Sequence, residues 1–193
     1  MSTTDETAVR QLRADARRNR ERILQAAKDV FAEQGADAQM DDVARKAGVG
    51  VGTVYRHFPN KDALIAELVK EKFGIFAERV NEALGEDDAW EAFCGVLRGN
   101  AELMSQNVAL QEALRGADID WEYVEPSRLE LERVTDKLIR RAQREGKLRK
   151  DFKAAELGML MGGVCASMGS SNPSGGDWRR HLEIVIDGLR AAR

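Results

Sequence analysis

Apolar residues in this chain recur at intervals of three and four and nowhere alternate convincingly, so the pattern predicts helices and no strand. Within residues 16–34, Ile23, Leu24, Ala27, Val30 and Phe31 share one stripe that stops at Gly35. Two short amphipathic segments follow, Met40–Ala47 and 52–58, separated by Gly48. Pro59 ends the second, and Asn60 is placed to cap a helix beginning at Lys61. Leu64, Ile65, Leu68, Val69, Phe73, Phe76, Val80 and Leu84 then line a single helix of about six turns, with Gly74 as a candidate bend.

Residues 85–88 read as a loop ending in helix-starting acids, followed by a stripe of Trp90, Phe93, Val96, Leu97, Leu103 and Met104. A short helix is expected over 108–114, and 116–126 is the least regular stretch. A clear helix is expected over 127–146, ended by Gly146. Asp151 is expected to cap a small-residue helix over 152–168, and 169–176 is a break. Asp177 then starts a last helix with Trp178, Leu182, Val185, Ile186 and Leu189 on one face. The expected fold is all-α, about nine helices without an internal repeat. It divides into a flexible N-terminal arm (1–15), a three-helix head (16–62) and a C-terminal helical domain (63–193).

At 193 residues the chain is long enough to bury a real core, and its net charge of −3 argues against coating nucleic acid by bulk charge. The distribution matters more. Residues 10–22 hold Arg10, Arg13, Arg17, Arg18, Arg20 and Arg22 against only Asp15 and Glu21, a basic run that enters the first helix. Cys94 and Cys165 each lie in an apolar context and read as reduced, buried thiols. No leader-like segment or membrane-length apolar run is evident, so a cytoplasmic location is expected.

Residues 41–61 carry the most chemistry. Val43, Ala44 and Ala47 give the first short helix an apolar face, Gly48 suits a left-handed turn, and Val49 plugs it. In the second helix Val54 and Phe58 face inward, leaving Thr53, Tyr55, Arg56 and His57 as outward hydrogen-bonding groups. That is the division a DNA-reading helix requires. The glycines of 48–52 have no preceding strand, so a nucleotide-binding loop is excluded.

The runs RERILQAAKDVFAEQG, MDDVARKAGV and GTVYRHFPNKDAL, in this order and spacing, resemble the TetR family of bacterial transcriptional regulators. The resemblance covers roughly the first third of the chain; the last two helices are similar to the dimerisation helices of some members. It implies a helix-turn-helix regulator, most simply a homodimeric repressor of a palindromic operator, released by a small-molecule effector. Ala38, Gln39, Gly50 and Val51 depart from the hydroxyl and basic residues usual in the family at those places, which removes polar contacts to DNA.

The resemblance assigns Tyr55, His57 and Lys61 to DNA backbone contact, as suits a phenol, an imidazole and an ammonium beside a helix start. Tyr55 has a half-buried core ring as its alternative, and His57 a merely solvated one. Thr53 and Arg56 are candidates for base edges, Arg56 equally for a phosphate, and Gly52 for close approach to the backbone. Arg18 and Arg22 are candidates for flanking phosphates.

Gly158, Gly162, Trp178, Leu182, Val185 and Leu189 are expected at a dimer seam, the alternative being the chain's own core. Trp90, Phe93, Met104, Trp121, Tyr123, Met159 and Cys165 are candidate lining for an effector pocket. Neither a catalytic residue, a metal site nor a cofactor is indicated; His57 and His181 stand alone. The competing readings are an effector-independent DNA-binding activator or architectural protein and, further off, a helical enzyme.

Overall fold

The structure, a computed structural model, describes residues 3–168 and 177–191. Among these residues it is helical throughout: α1 (Thr3–Gln34), a 3-10 turn (Gly35–Asp37), α2 (Met40–Ala47), α3 (Val51–His57), α4 (Lys61–Ala83), α5 (Ala89–Ser105), α6 (Val108–Gly116), α7 (Trp121–Arg144), α8 (Ala154–Ala166) and α9 (Trp178–Gly188). Its only β feature there is one isolated bridge, Leu148 to Arg190. No described helix is long and apolar enough to cross a membrane.

Three expected caps form. Asn60 accepts from the Ala63 amide, Asp88 from those of Trp90 and Glu91, and Asp177 from that of Arg179. Gly35, Gly48 and Gly146 have positive φ where helices end.

Three boundaries differ from expectation. Helix α1 begins at Thr3, so the stretch read as an arm is its N-terminal part; no Gly or Pro interrupts it, and it lacks an apolar stripe to reveal it. Helix α7 begins at Trp121, capped by Asp120, and absorbs the supposedly irregular Pro126. Pro126 is exposed near the start of the helix, where water can serve the carbonyl it leaves unbonded. Helix α8 begins at Ala154 after Lys153, whose amide donates to Glu156, while Asp151 pairs with Arg149 instead of capping. That pairing draws the Asp151 pKa down to about 2. The expected break over 169–176 lies outside the described residues.

Two large apolar clusters hold the helices together. The first unites the inward faces of α1 to α3 with Leu64, Ile65, Leu68 and Val69 of α4, and adds Ala113, Leu114, Ile119 and Val124 from α6, the following loop and the start of α7. The expected boundary after residue 62 therefore passes through a continuous core. The second cluster joins α4, α5, α7, α8 and α9 around Trp90, Phe93, Leu97, Leu138, Ile139 and Leu182. Each such fully buried side chain contributes about 1.5–3 kcal/mol, far more than the exposed ion pairs on the surface.

Helices α4 and α7 run side by side in the same direction. Tyr123 reaches Lys70 at 3.3 Å and donates its hydroxyl to Glu67, while Arg141 donates to the Leu84 and Asp87 carbonyls at 3.0 and 2.6 Å. Glu67 is buried and also meets Arg20 at 2.8 Å. Burial pushes its carboxyl up, but Arg20 and Tyr123 more than offset this and hold it below the usual range.

Replacing Glu67 by Gln removes the charge that ties α1 to α4 and α7. We expect Glu67→Gln to cost about 1–3 kcal/mol at neutral pH, read by urea unfolding. Because the folded-state pKa is depressed, Glu67 stabilises the fold above its unfolded pKa. The gap between wild type and variant must close as pH falls below about 4.

Candidate nucleic-acid interface and internal cavity

The turn between α2 and α3 is set by Gly48 at φ 65°. Its amide closes α2 onto Ala44 and Arg45, and the next amide, Val49, returns to the Ala44 carbonyl at 3.1 Å. A side chain at Gly48 would be strained by that φ and would also bring a Cβ 3.1 Å from Arg22. Arg22 itself donates to the Ala47 carbonyl at 2.6 Å, capping α2 from α1. Val49 is half-buried against the core, as its role as a plug requires.

Helix α3 is fixed from beneath by Val54 and Phe58, both buried, with the Arg20 guanidinium 5.4 Å from the Phe58 ring centre. Its outward face carries Val51, Gly52, Tyr55 and Arg56, flanked by the half-buried Thr53 and His57. Tyr55 is 47% exposed, which removes the alternative of a core ring. The side chains of Thr53, Tyr55 and Arg56 have no hydrogen-bond or ion-pair partner among the described residues. They are polar groups held on a rigid helix with nothing to satisfy them but solvent or a ligand. The His57 ring lies 6.3 Å from that of Phe58.

The remaining DNA-binding candidates sit differently. Lys61 donates to the Ala36 carbonyl at 2.5 Å and lies 5.6 Å over Phe31, bracing the 3-10 turn. Arg22 is spent on α2, and Arg18 is exposed but paired with Asp15. Gln39 and Gly50, the residues before α2 and α3, make no side-chain cap bond. The Val51 and Gly52 amides therefore have no acceptor among the described residues, whereas the Thr53 amide donates to the Gly50 carbonyl at 2.8 Å.

A cavity of about 530 Å³ lies among α4, α5, α6, α7 and α8. Of the expected lining residues, Met104, Trp121 and Cys165 face it; four do not. Trp90 and Phe93 are buried in the second cluster, where large rings fill the core best. Tyr123 is engaged by Glu67 and Lys70, and Met159 is 74% exposed on the outside of α8. The wall also holds polar residues that an aromatic pattern does not reveal: Lys72, Asn100, Gln111, Arg115, Arg128, Glu132 and Thr135. Their signal in the sequence is a polar residue on an otherwise apolar stripe, such as Lys72 between Val69 and Phe76.

The expected seam residues divide. Leu182 and Leu189 are buried in the chain's own second cluster, and Trp178 and Val185 are half-buried against it. Gly158 and Gly162 are exposed and border the cavity. The outward apolar residues of α8 and α9 are Met159 and Ile184, the latter 54% exposed. Both cysteines are buried and free, and burial raises the Cys94 thiol to about 11, which leaves it inert at neutral pH.

An all-helical chain with a small core-supported head, a glycine turn and an exposed polar second helix defines a helix-turn-helix DNA-binding protein. Residues 23–68 match the sequence profile described as bacterial regulatory proteins of the tetR family, and 88–191 match that of the SbtR-like transcriptional regulator C-terminal domain. The crystal structure of the TetR transcription regulatory protein from Mycobacterium vanbaalenii is 31% identical, with 93% of this chain and 99% of that one covered at a TM-score of 0.64. The transcriptional regulator FadR from Bacillus subtilis, solved in complex with stearoyl-CoA, superposes at a TM-score of 0.67 over 88% of this chain and 98% of that one; at 23% identity the likeness is one of fold. The fatty acid metabolism regulator protein of Bacillus subtilis is 43% identical over 65 residues, 33% of this chain and 34% of its own length. This chain spans only about a third of that relative. The chain belongs to the TetR family of bacterial transcriptional regulators and is a DNA-binding transcriptional regulator.

Gly50 tests the uncapped reading helix. Its φ of −67° and ψ of 143° suit serine, and an added Cβ meets nothing within 4 Å. Gly50→Ser should raise stability by a few tenths of a kcal/mol in a denaturation curve and strengthen binding to duplex DNA.

Proposed function

We propose that the protein is a homodimeric repressor that grips a two-fold-symmetric DNA site through α3 of each copy and is released when a small molecule fills the cavity. The observation that carries this reading is a shared wall. Val69, Leu114 and Ile119 belong to the apolar core of the head and also line the cavity. A ligand that alters the packing of these three residues must alter the support of the reading helix. A ligand preferring the arrangement unsuited to DNA weakens DNA binding by the same coupling free energy.

In this proposal Tyr55 and His57 contact phosphates, with Lys61 adding charge beside them from its brace on the 3-10 turn. Arg56 and Thr53 face base edges, and Gly52 lets the backbone approach. Arg22 acts indirectly by holding α2, and Arg18 reaches a phosphate only by leaving Asp15. The DNA-binding unit is the head together with the first turns of α4, and the rest of the chain serves the effector and the dimer. A reading helix of two turns covers only a few base pairs, so two copies are needed for useful specificity. The outward faces of α8 and α9, with Met159, Ile184 and the exposed glycines of α8, support the dimer contact.

Binding of duplexes from the DNA flanking the protein's own gene tests the reading. Tyr55→Phe should weaken binding across sequences, whereas Arg56→Ala should relax base preference at one position of each half-site, at a cost of about 1–3 kcal/mol. Absence of any duplex bound above non-specific levels at low salt would overturn it. Ile184→Glu combined with Met159→Glu should yield monomers in analytical ultracentrifugation and abolish high-affinity binding, while the single chain stays folded.

A further inference from the structure

We infer that the effector is an elongated, amphipathic organic anion with an acidic group at one end and a hydrogen-bonding hydroxyl or comparable donor about 10 Å further along. The inference rests on the proposal that the cavity is an effector site and adds the chemistry of its occupant.

The acidic end is argued from Lys72. Its ammonium lines the cavity, lies 5.8 Å over the Phe76 ring, and donates at 2.7 Å to the neutral Gln111 side chain of α6. It has no carboxylate partner among the described residues. Arg115, also on the wall, adds a second cation without an ion pair among the described residues, and the wall's one carboxylate, Glu132, is already matched by Arg128, so the lining has an excess of positive charge. Burial pushes the Lys72 pKa down, with the Arg115 charge acting in the same sense. An entering carboxylate or similar anion relieves both effects.

Two orphaned polar atoms, an amide oxygen that can only accept and a hydroxyl that can accept or donate, mark the hydrogen-bonding end. Asn100 Oδ1 and Thr135 Oγ1 are buried, line the same cavity and have no partner among the described residues. Such atoms cost about 1–3 kcal/mol each unless a ligand or water satisfies them. Their place follows from the helices. Helix α7 runs with α4, so Thr135 stands toward Val80, away from the head. Asn100 is one turn before Met104, which packs on Phe76. Helix α4 rises about 12 Å from Lys72 to Val80. The rest of the wall is largely apolar, with Phe76, Leu97, Leu131 and Leu157, and its one carboxylate, Glu132, is held by Arg128 of the same helix at 2.9 Å.

The charge also supplies the trigger. An anion taken up by Lys72 competes with Gln111 for the ammonium and so loosens α6 from α4. Helix α6 is the element whose Ala113 and Leu114 pack into the head. The ligand thus acts on the shared wall through a hydrogen bond it replaces.

Calorimetric titration of the full chain, without DNA, with ω-hydroxydecanoate, decanoate, 1,10-decanediol and decyltrimethylammonium tests the inference. The hydroxy acid should bind at least tenfold tighter than the diol, decanoate should fall between them, and the ammonium should not bind. Lys72→Met, and Lys72→Gln as a second variant, should erase the advantage of the acid over the diol while leaving the diol unchanged. Asn100→Leu should erase the advantage of hydroxydecanoate over decanoate. Thermal melts of each variant establish that it is folded. Equal binding of diol and acid, binding of the ammonium, insensitivity to both Lys72 variants, or no saturable binding of the acid overturns the inference. Duplex binding is then followed separately with the hydroxy acid present. Selective binding without release of DNA overturns the effector reading and leaves the cavity's chemistry standing. Release of DNA by a compound lacking an acid does the reverse.

Discussion

The proposed coupling between the head and the rest of the molecule depends on the packing of Val69, Leu114 and Ile119. These side chains are buried in the core beneath α2 and α3 and simultaneously face an internal cavity. A close-packed interior responds to a change of volume at such a wall by shifting its neighbours, because it has few voids to absorb the change. In the proposed mechanism the position of α3 is thus conditional on what the cavity holds. The arrangement arises because α6 packs Ala113 and Leu114 into the first cluster while the loop before α7 returns Ile119 to it.

Electrostatic ties limit how the head can move. Arg20, Glu67, Tyr123 and Lys70 link α1, α4 and α7, and Lys28 meets Glu71 at 2.5 Å. Partly exposed pairs such as Lys28 with Glu71 contribute only about 0–1 kcal/mol, so they set orientation more than stability. The burial of Leu64, Ile65 and Leu68 in the head core dominates, at about 1.5–3 kcal/mol each. The first turns of α4 are therefore part of the head, and in the proposed mechanism changes at the cavity pass along α4 and through α6 rather than being absorbed at a hinge after residue 62.

The head was legible because its three helices each show a clean apolar stripe, a cap or a terminal glycine, and Tyr55 and Arg56 fall on the outward side of the short second helix by spacing alone. The N-terminal part of α1 was illegible for the opposite reason: its described side chains are mostly exposed and leave no periodic trace. Pro126 misled because a proline reads as a break, yet it is tolerated near an exposed helix start. The cavity was only partly legible. Aromatic residues were sought as lining, but Trp90 and Phe93 gain most by filling the core. The informative positions are Lys72, Asn100 and Thr135, polar side chains on buried stripes. Likewise Leu182 and Leu189 could belong to a seam or a core by spacing, and only the packing of α9 on α5 and α8 places them inside.

The shared wall is tested most directly by hydrogen exchange across the whole chain, measured with the cavity empty and then saturated with a ligand shown to bind there. Changes in amide protection should appear in α6 and the loop before α7, and extend into α2 and α3, which the ligand does not touch. Changes confined to the cavity faces of α4, α5, α7 and α8, with α6 and the head unaltered, would contradict it.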